Sequence, residues 1–140
     1  MIGNRLWTGS LMVALIVAGG LPNAQPLFGQ NQQIVEVTIK DFQFVTKQPA
    51  LRLGLPTIIR IRNEDAERHD FGSAMFEGIP TQIEKDGVIV YGHGLRGVYL
   101  DPKRDATVRF EMSRPGRHEF RCSIHPNMKG EFLLLTIEAV

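Results

Sequence analysis

The chain has 140 residues, a hydrophobic fraction of 43% and a formal net charge of +1. That length suits one domain with a proper core and leaves no room for a second module. Basic and acidic residues are interleaved, as in Arg62-Asn63-Glu64-Asp65-Ala66-Glu67-Arg68. This excludes the one-sided basic patch that a nucleic-acid partner would require.

In chain order, residues 1–24 come first and differ in kind from the rest. Arg5 is their only charge, Leu11 to Leu21 is an unbroken apolar or glycine stretch, and Pro22-Asn23-Ala24 ends on a small residue. This predicts a secretory signal peptide and a periplasmic or secreted protein. The apolar run is about half the roughly twenty residues of a spanning helix, so no stable membrane span is expected. Because Arg5 is the only charge removed, the remainder carries 15 basic and 15 acidic side chains. The polar segment 25–33 is expected to be a flexible lead-in, and 34–140 the folded domain.

After it the hydrophobic period becomes two. Val35, Val37 and Ile39 alternate with Glu36, Thr38 and Lys40, and Ala106, Val108, Phe110 and Met112 alternate with Thr107, Arg109 and Glu111. These are half-buried strands. Further strands are expected at Ala50 to Leu53, Thr57 to Arg62, Arg68 to Gly72, Val98 to Leu100, Arg117 to Cys122 and Glu131 to Ala139. Turn signals at Gly54-Leu55-Pro56, Asp101-Pro102 and Arg114-Pro115-Gly116 separate several of them. About eight short strands without a long helical stripe predict an all-β antiparallel sandwich. Residues 72–97 are left irregular, with a helical turn at Ala74 to Gly78 and a loop at Tyr91-Gly92-His93-Gly94.

The chemistry concentrates near the C-terminus. In Cys122-Ser123-Ile124-His125-Pro126-Asn127-Met128, a thiol, an imidazole and a thioether follow one another at three-residue steps. Soft thiolate and thioether donors favour Cu(I), imidazole suits both copper states, and two histidines, a cysteine and a weak axial methionine make a blue-copper electron-transfer site. Zinc fits less well, because thioether is not among its usual ligands. A lone cysteine in an exported chain cannot form an internal disulfide, so the thiol needs another role, an intermolecular bond or a reactive or metal-bound sulfur, and copper ligation supplies one. Alternation along Arg117 to Cys122 sends His118, Phe120 and Cys122 to the buried face. A metal at Cys122 would therefore sit under the end of the sandwich.

The loop provides one histidine, and the second is expected to be His69, which follows the strand Thr57 to Arg62 and the turn Asn63-Glu64-Asp65. His118, on the core face of its strand, reads as a hydrogen-bonded packing residue, and His93, in a glycine-rich loop, as an exposed one. Cys122 with His125 as a nucleophile and base is the weaker reading, since no oxyanion loop or orienting group accompanies them. An enzyme is not expected.

At this point the chain resembles the cupredoxins, the blue-copper family that includes plastocyanin and amicyanin. The likeness is carried by Val35 to Phe44, by Asn63-Glu64-Asp65 with His69 shortly after, and by Pro115-Gly116 leading through Phe120 to Cys122, His125, Met128 and Gly130. The two-residue gap between successive loop ligands looks most like amicyanin. The resemblance implies a Greek-key sandwich, one type 1 copper held by His69, Cys122, His125 and Met128, and a monomer that carries single electrons between a protein donor and acceptor. These partners would dock on an apolar face of Ile124, Pro126 and the Gly54-Leu55-Pro56 turn around His125. Copper storage or delivery is the alternative. The chain departs from the family at the longer segment 72–97, at Asp70 where Asn is frequent, and at His118 where an aromatic is common. Asp70 is expected to hydrogen-bond near Ser123 and add negative charge beside the metal. A single cysteine excludes the binuclear copper site of cytochrome oxidase.

Overall fold

The strand pattern produces two packed sheets. The structure, a computed structural model, describes residues 31–48 and 50–136. The expected signal peptide, most of the lead-in and the last residues of the expected C-terminal strand lie outside the described residues. One sheet has the order β2 (Gln43–Thr46), β1 (Gln33–Lys40), β4 (Pro56–Asn63), β9 (Asp105–Glu111), β6 (Thr81–Lys85), β7 (Val88–Gly92). The other has the order β3 (Ala50–Arg52), β11 (Lys129–Leu135), β10 (Gly116–Arg121), β5 (His69–Gly72), β8 (Gly97–Leu100).

Alternation along each strand builds the core between them. Val35, Val37 and Ile39 of β1, Ile59 and Ile61 of β4, and Ala106, Val108 and Phe110 of β9 are buried, facing Leu51, Phe71, Phe120, Phe132 and Leu134 of the second sheet. The aromatic rings stack in a chain, with Phe71–Phe120 centroids 4.9 Å apart and Phe120–Phe132 centroids 4.6 Å apart. Aromatic pairs of this kind are worth about 0.5–1.5 kcal/mol each beyond the area they bury.

The all-β sandwich is as expected, with refinements. β1 pairs with β4 in parallel, and β3 with β11 in parallel, because the chain leaves the first sheet after β2, lends β3 to the second and then returns. The segment 72–97 is not irregular. After a 3-10 turn at Ala74–Phe76 it forms the hairpin β6–β7 around Asp86-Gly87, both in left-handed backbone conformation. Two such residues are what a two-residue hairpin connection demands. The hairpin escapes the alternation rule because β7 is an edge strand whose Val88, Ile89, Val90 and Tyr91 are all exposed. The lead-in is shorter than expected. Gln33 already belongs to β1, and its side chain bonds both the N–H and the C=O of Arg52.

Candidate metal centre

Parallel pairing of β1 with β4 brings their C-terminal ends, Lys40 and Asn63, to one end of the sandwich. The start of β5 and the end of β10 lie at the same end, so three candidate ligands arrive on separate elements. His69 opens β5, Cys122 follows β10, and His125 stands in the loop before β11. His69 Nδ1 lies 3.1 Å from His125 Nδ1 and 4.0 Å from Cys122 Sγ, and His125 Nδ1 lies 3.5 Å from that sulfur. These three donors form the described group of metal-binding type, with His69 and Cys122 buried and His125 half-buried.

The triangle is the right size for a metal. At the roughly 2.0 Å metal–nitrogen and 2.3 Å metal–sulfur distances of comparable divalent sites, an ion in the donor plane needs N···N near roughly 3.5 Å and N···S near roughly 3.7 Å. Met128 is buried beside them in the core cluster.

The loop is held by its own backbone. Cys122 N–H donates to Met128 C=O at 3.0 Å, and Met128 N–H donates to His125 C=O at 2.9 Å. Gly130 closes it for a steric reason: a Cβ there would stand 2.4 Å from Cζ of Phe120, so only glycine lets the ring pass. Asp70 behaves as expected from the sequence. Its carboxylate accepts the Ser123 N–H, and its own N–H donates to Cys122 Sγ at 3.4 Å. Burial pushes the Cys122 thiol above its ordinary value of 9.0, and the Asp70 side chain adds to the rise while the Asp70 N–H opposes it. A metal must therefore displace a proton to bind there.

His69 is held by side chains that sequence reasoning passed over. Asn63, fully buried, donates to the carbonyls of Glu67, Leu100 and Asp101 and accepts the Asp65 N–H at 3.0 Å. That last contact is an Asx turn, the available sequence signal being Asn63 two residues before Asp65. Asp65 then accepts from His69 Nε2 at 2.9 Å, leaving Nδ1 to face the sulfur. Phe42, on the β1–β2 turn, stands perpendicular to both imidazoles, with centroids 5.3 Å from His69 and 5.0 Å from His125.

The remaining sequence assignments divide. His93 is exposed, and half-buried His118 lies within 3.1 Å of the Arg114 carbonyl through Nε2. Ile124 and Pro126 are exposed beside His125. The Gly54-Leu55-Pro56 turn is not near them, because it precedes β4, whose other end carries Asn63. Phe42 occupies the place beside the imidazoles that the turn was expected to fill.

A buried thiol, two imidazoles and a buried thioether-bearing residue at the end of a β-sandwich fit one type 1 copper per chain. Residues 10–134 match the family described as the cupredoxin-like domain, and the protein belongs to it. No curated protein matches the chain. Among solved structures, a Cu(I) amicyanin variant is 16% identical, covering 73% of this chain and 82% of its own at a TM-score of 0.47. A reduced amicyanin variant is 17% identical over the same shares at 0.47. A multicopper oxidase from Campylobacter jejuni, described as a metallo-oxidase, is 12% identical at a TM-score of 0.53 and covers 81% of this chain but 31% of the oxidase. At that identity the property shared with the oxidase is the fold alone.

Proposed function

We propose that the protein is an exported one-electron carrier in which His69, Cys122, His125 and Met128 hold a single copper. Copper supplies the redox chemistry, alternating between Cu(II) and Cu(I). The chain's part is to present a fixed donor set, exclude water from the sulfur and offer one ligand edge to a partner. The observation that carries the reading is the asymmetry of exposure: Cys122 and Met128 are 1% and 2% exposed, His69 is fully buried, and His125 alone of the four is half-open. An electron leaving by His125 crosses the least protein. Phe42, Ile124 and Pro126, all exposed, surround it with an apolar rim suited to a transient redox partner.

Copper buffering or delivery uses the same ligands, and release behaviour separates the two. The decisive experiment adds Cu(II) to purified apoprotein. One equivalent should produce intense visible absorption that Cys122→Ser abolishes, because the colour is charge transfer from thiolate sulfur. Reversible electrochemistry of the loaded protein supports the carrier; rapid loss of Cu(I) to a chelator with no reversible wave favours delivery. Full colour in Cys122→Ser, or a stoichiometry other than one, overturns the site. The apolar stretch Leu11 to Leu21 supports export, which fractionation of an expressing cell tests.

A further inference from the structure

The β1–β2 connection carries the sharpest backbone anomaly of the described residues. Asp41 and Phe42 both have left-handed backbone conformation, with φ of 52° and 58°. A two-residue hairpin turn asks for this, but it favours Asn and Gly, and a bulky residue such as Phe is an outlier there. Strain of that kind persists only where the surroundings impose it. Here a single carboxylate does so. Asp65 accepts the Asp41 N–H through Oδ1 at 2.7 Å and the Phe42 N–H through Oδ2 at 3.0 Å, while the same Oδ2 takes the His69 Nε2 contact. The result is a Phe42 ring set at 85° to the His69 plane and 89° to the His125 plane, although the side chain remains 48% exposed.

We infer that Asp65 is a positioning residue that locks two things at once: the Nε2-protonated form of His69, with Nδ1 free to ligate, and a strained turn that holds Phe42 as a cover over both imidazoles. Each half explains a feature the other leaves open. A carboxylate on the outer nitrogen of a ligating histidine fixes its tautomer and ring orientation. It does not require that the same carboxylate also gather two backbone N–H groups from a turn 23 and 24 residues away. Gathering them makes sense if the turn's side chain has work at the site. Phe42 covers the side of the imidazoles that faces β1–β2, keeping water and small ligands from the metal, and its perpendicular contacts resist rotation of either ring.

The inference rests on the copper reading above, and the experiment separates their failures. Wild type, Asp65→Ala and Phe42→Gly are compared after loading with one Cu(I), by the rate of transfer to bathocuproine disulfonate. Phe42→Gly suits the turn, because glycine adopts positive φ without cost, so it tests the cover with the backbone relaxed. In metal-free protein, nitrogen-15 NMR of His69 reports the tautomer directly. Asp65→Ala should convert His69 from a single Nε2-protonated form to a mixture and speed copper loss by roughly 10–100-fold, the usual effect of removing such a partner. Phe42→Gly should leave the tautomer unchanged, yet speed copper loss and let added imidazole alter the Cu(II) spectrum, which the wild type should resist. If Asp65→Ala does not fold, Phe42→Gly alone decides the cover, and the wild-type tautomer decides the lock. A blue wild type with both variants indistinguishable from it overturns this inference alone, as does a His69 protonated on Nδ1 in metal-free wild type. A wild type that takes up no copper overturns the functional reading instead.

Discussion

The two imidazoles of the site reach it by opposite means. His125 sits three residues from Cys122 in a loop closed by two short-range backbone hydrogen bonds, and its position follows from local chain geometry. His69 is 53 residues from Cys122 and is placed by a relay in which Asn63 holds the turn, Asp65 holds His69, and the turn from β1 folds over both. A local loop resists single substitutions outside its steric pivots. A relay of side chains fails wherever one member is lost, because buried polar partners are then left unsatisfied.

That contrast predicts a ranked set of effects. The largest belongs to the relay. Asn63→Ala removes donors from the carbonyls of Glu67, Leu100 and Asp101 and an acceptor from Asp65 N–H in a fully buried position. A cost of about 3 kcal/mol is expected in urea unfolding of the apoprotein, since each buried group left unpaired costs about 1–3 kcal/mol. Copper retention should fall with it. Less than 1 kcal/mol would mean that the relay is not what holds His69.

Next comes the steric pivot of the loop. Gly130→Ala forces Phe120 to move, and overpacking of this kind costs about 1–3 kcal/mol. Because Phe120 packs on Phe71 and Phe132, the apoprotein midpoint should drop while the visible spectrum changes little. A large spectral change with unaltered stability would place the strain on the ligands instead.

The two regions should also separate by pH in the apoprotein. Burial pushes the Asp65 carboxyl up, but hydrogen bonds from the Phe42 and Asp41 N–H groups and from His69 outweigh it and leave the group below its ordinary 3.8. The stability this contributes is fully present above the unfolded value and is lost as pH falls through the folded one. Cys122, raised above 9.0, acts at the other end: the unfolded chain gives up the thiol proton first, so stability falls as pH climbs from about 9 through the folded value. Unfolding curves across pH should therefore lose the alkaline limb in Cys122→Ala and soften the acid limb in Asp65→Ala. Identical profiles in all three proteins would break the assignment.

The smallest effect is at the hairpin β6–β7. His93 is exposed at its end, so His93→Ala should leave copper content and spectrum unchanged, whereas His69→Ala should lose copper or need added imidazole to restore colour. The reverse result would exchange the ligands. Met128→Leu falls between them, keeping the copper but raising the reduction potential, as expected for a long and weak axial contact.

The sequence by itself determined the β-sandwich, because a period of two in β1, β4 and β9 can bury only one face. It also made the local triplet of candidate donors legible, because Cys122, His125 and Met128 are set by chain spacing. Only the tertiary structure decided the rest. Edge strand β7 has no buried face to reveal it. Residues 43–46 of β2 are too short for a pattern. The reach of Asp65 to the β1–β2 turn and the placing of Phe42 against both imidazoles depend on which strand ends meet, which parallel pairing of β1 with β4 settles. The Gly54-Leu55-Pro56 turn emerges away from His125 for the same reason: apolar character is written in a sequence, but the end of the sandwich at which it emerges is set by strand direction.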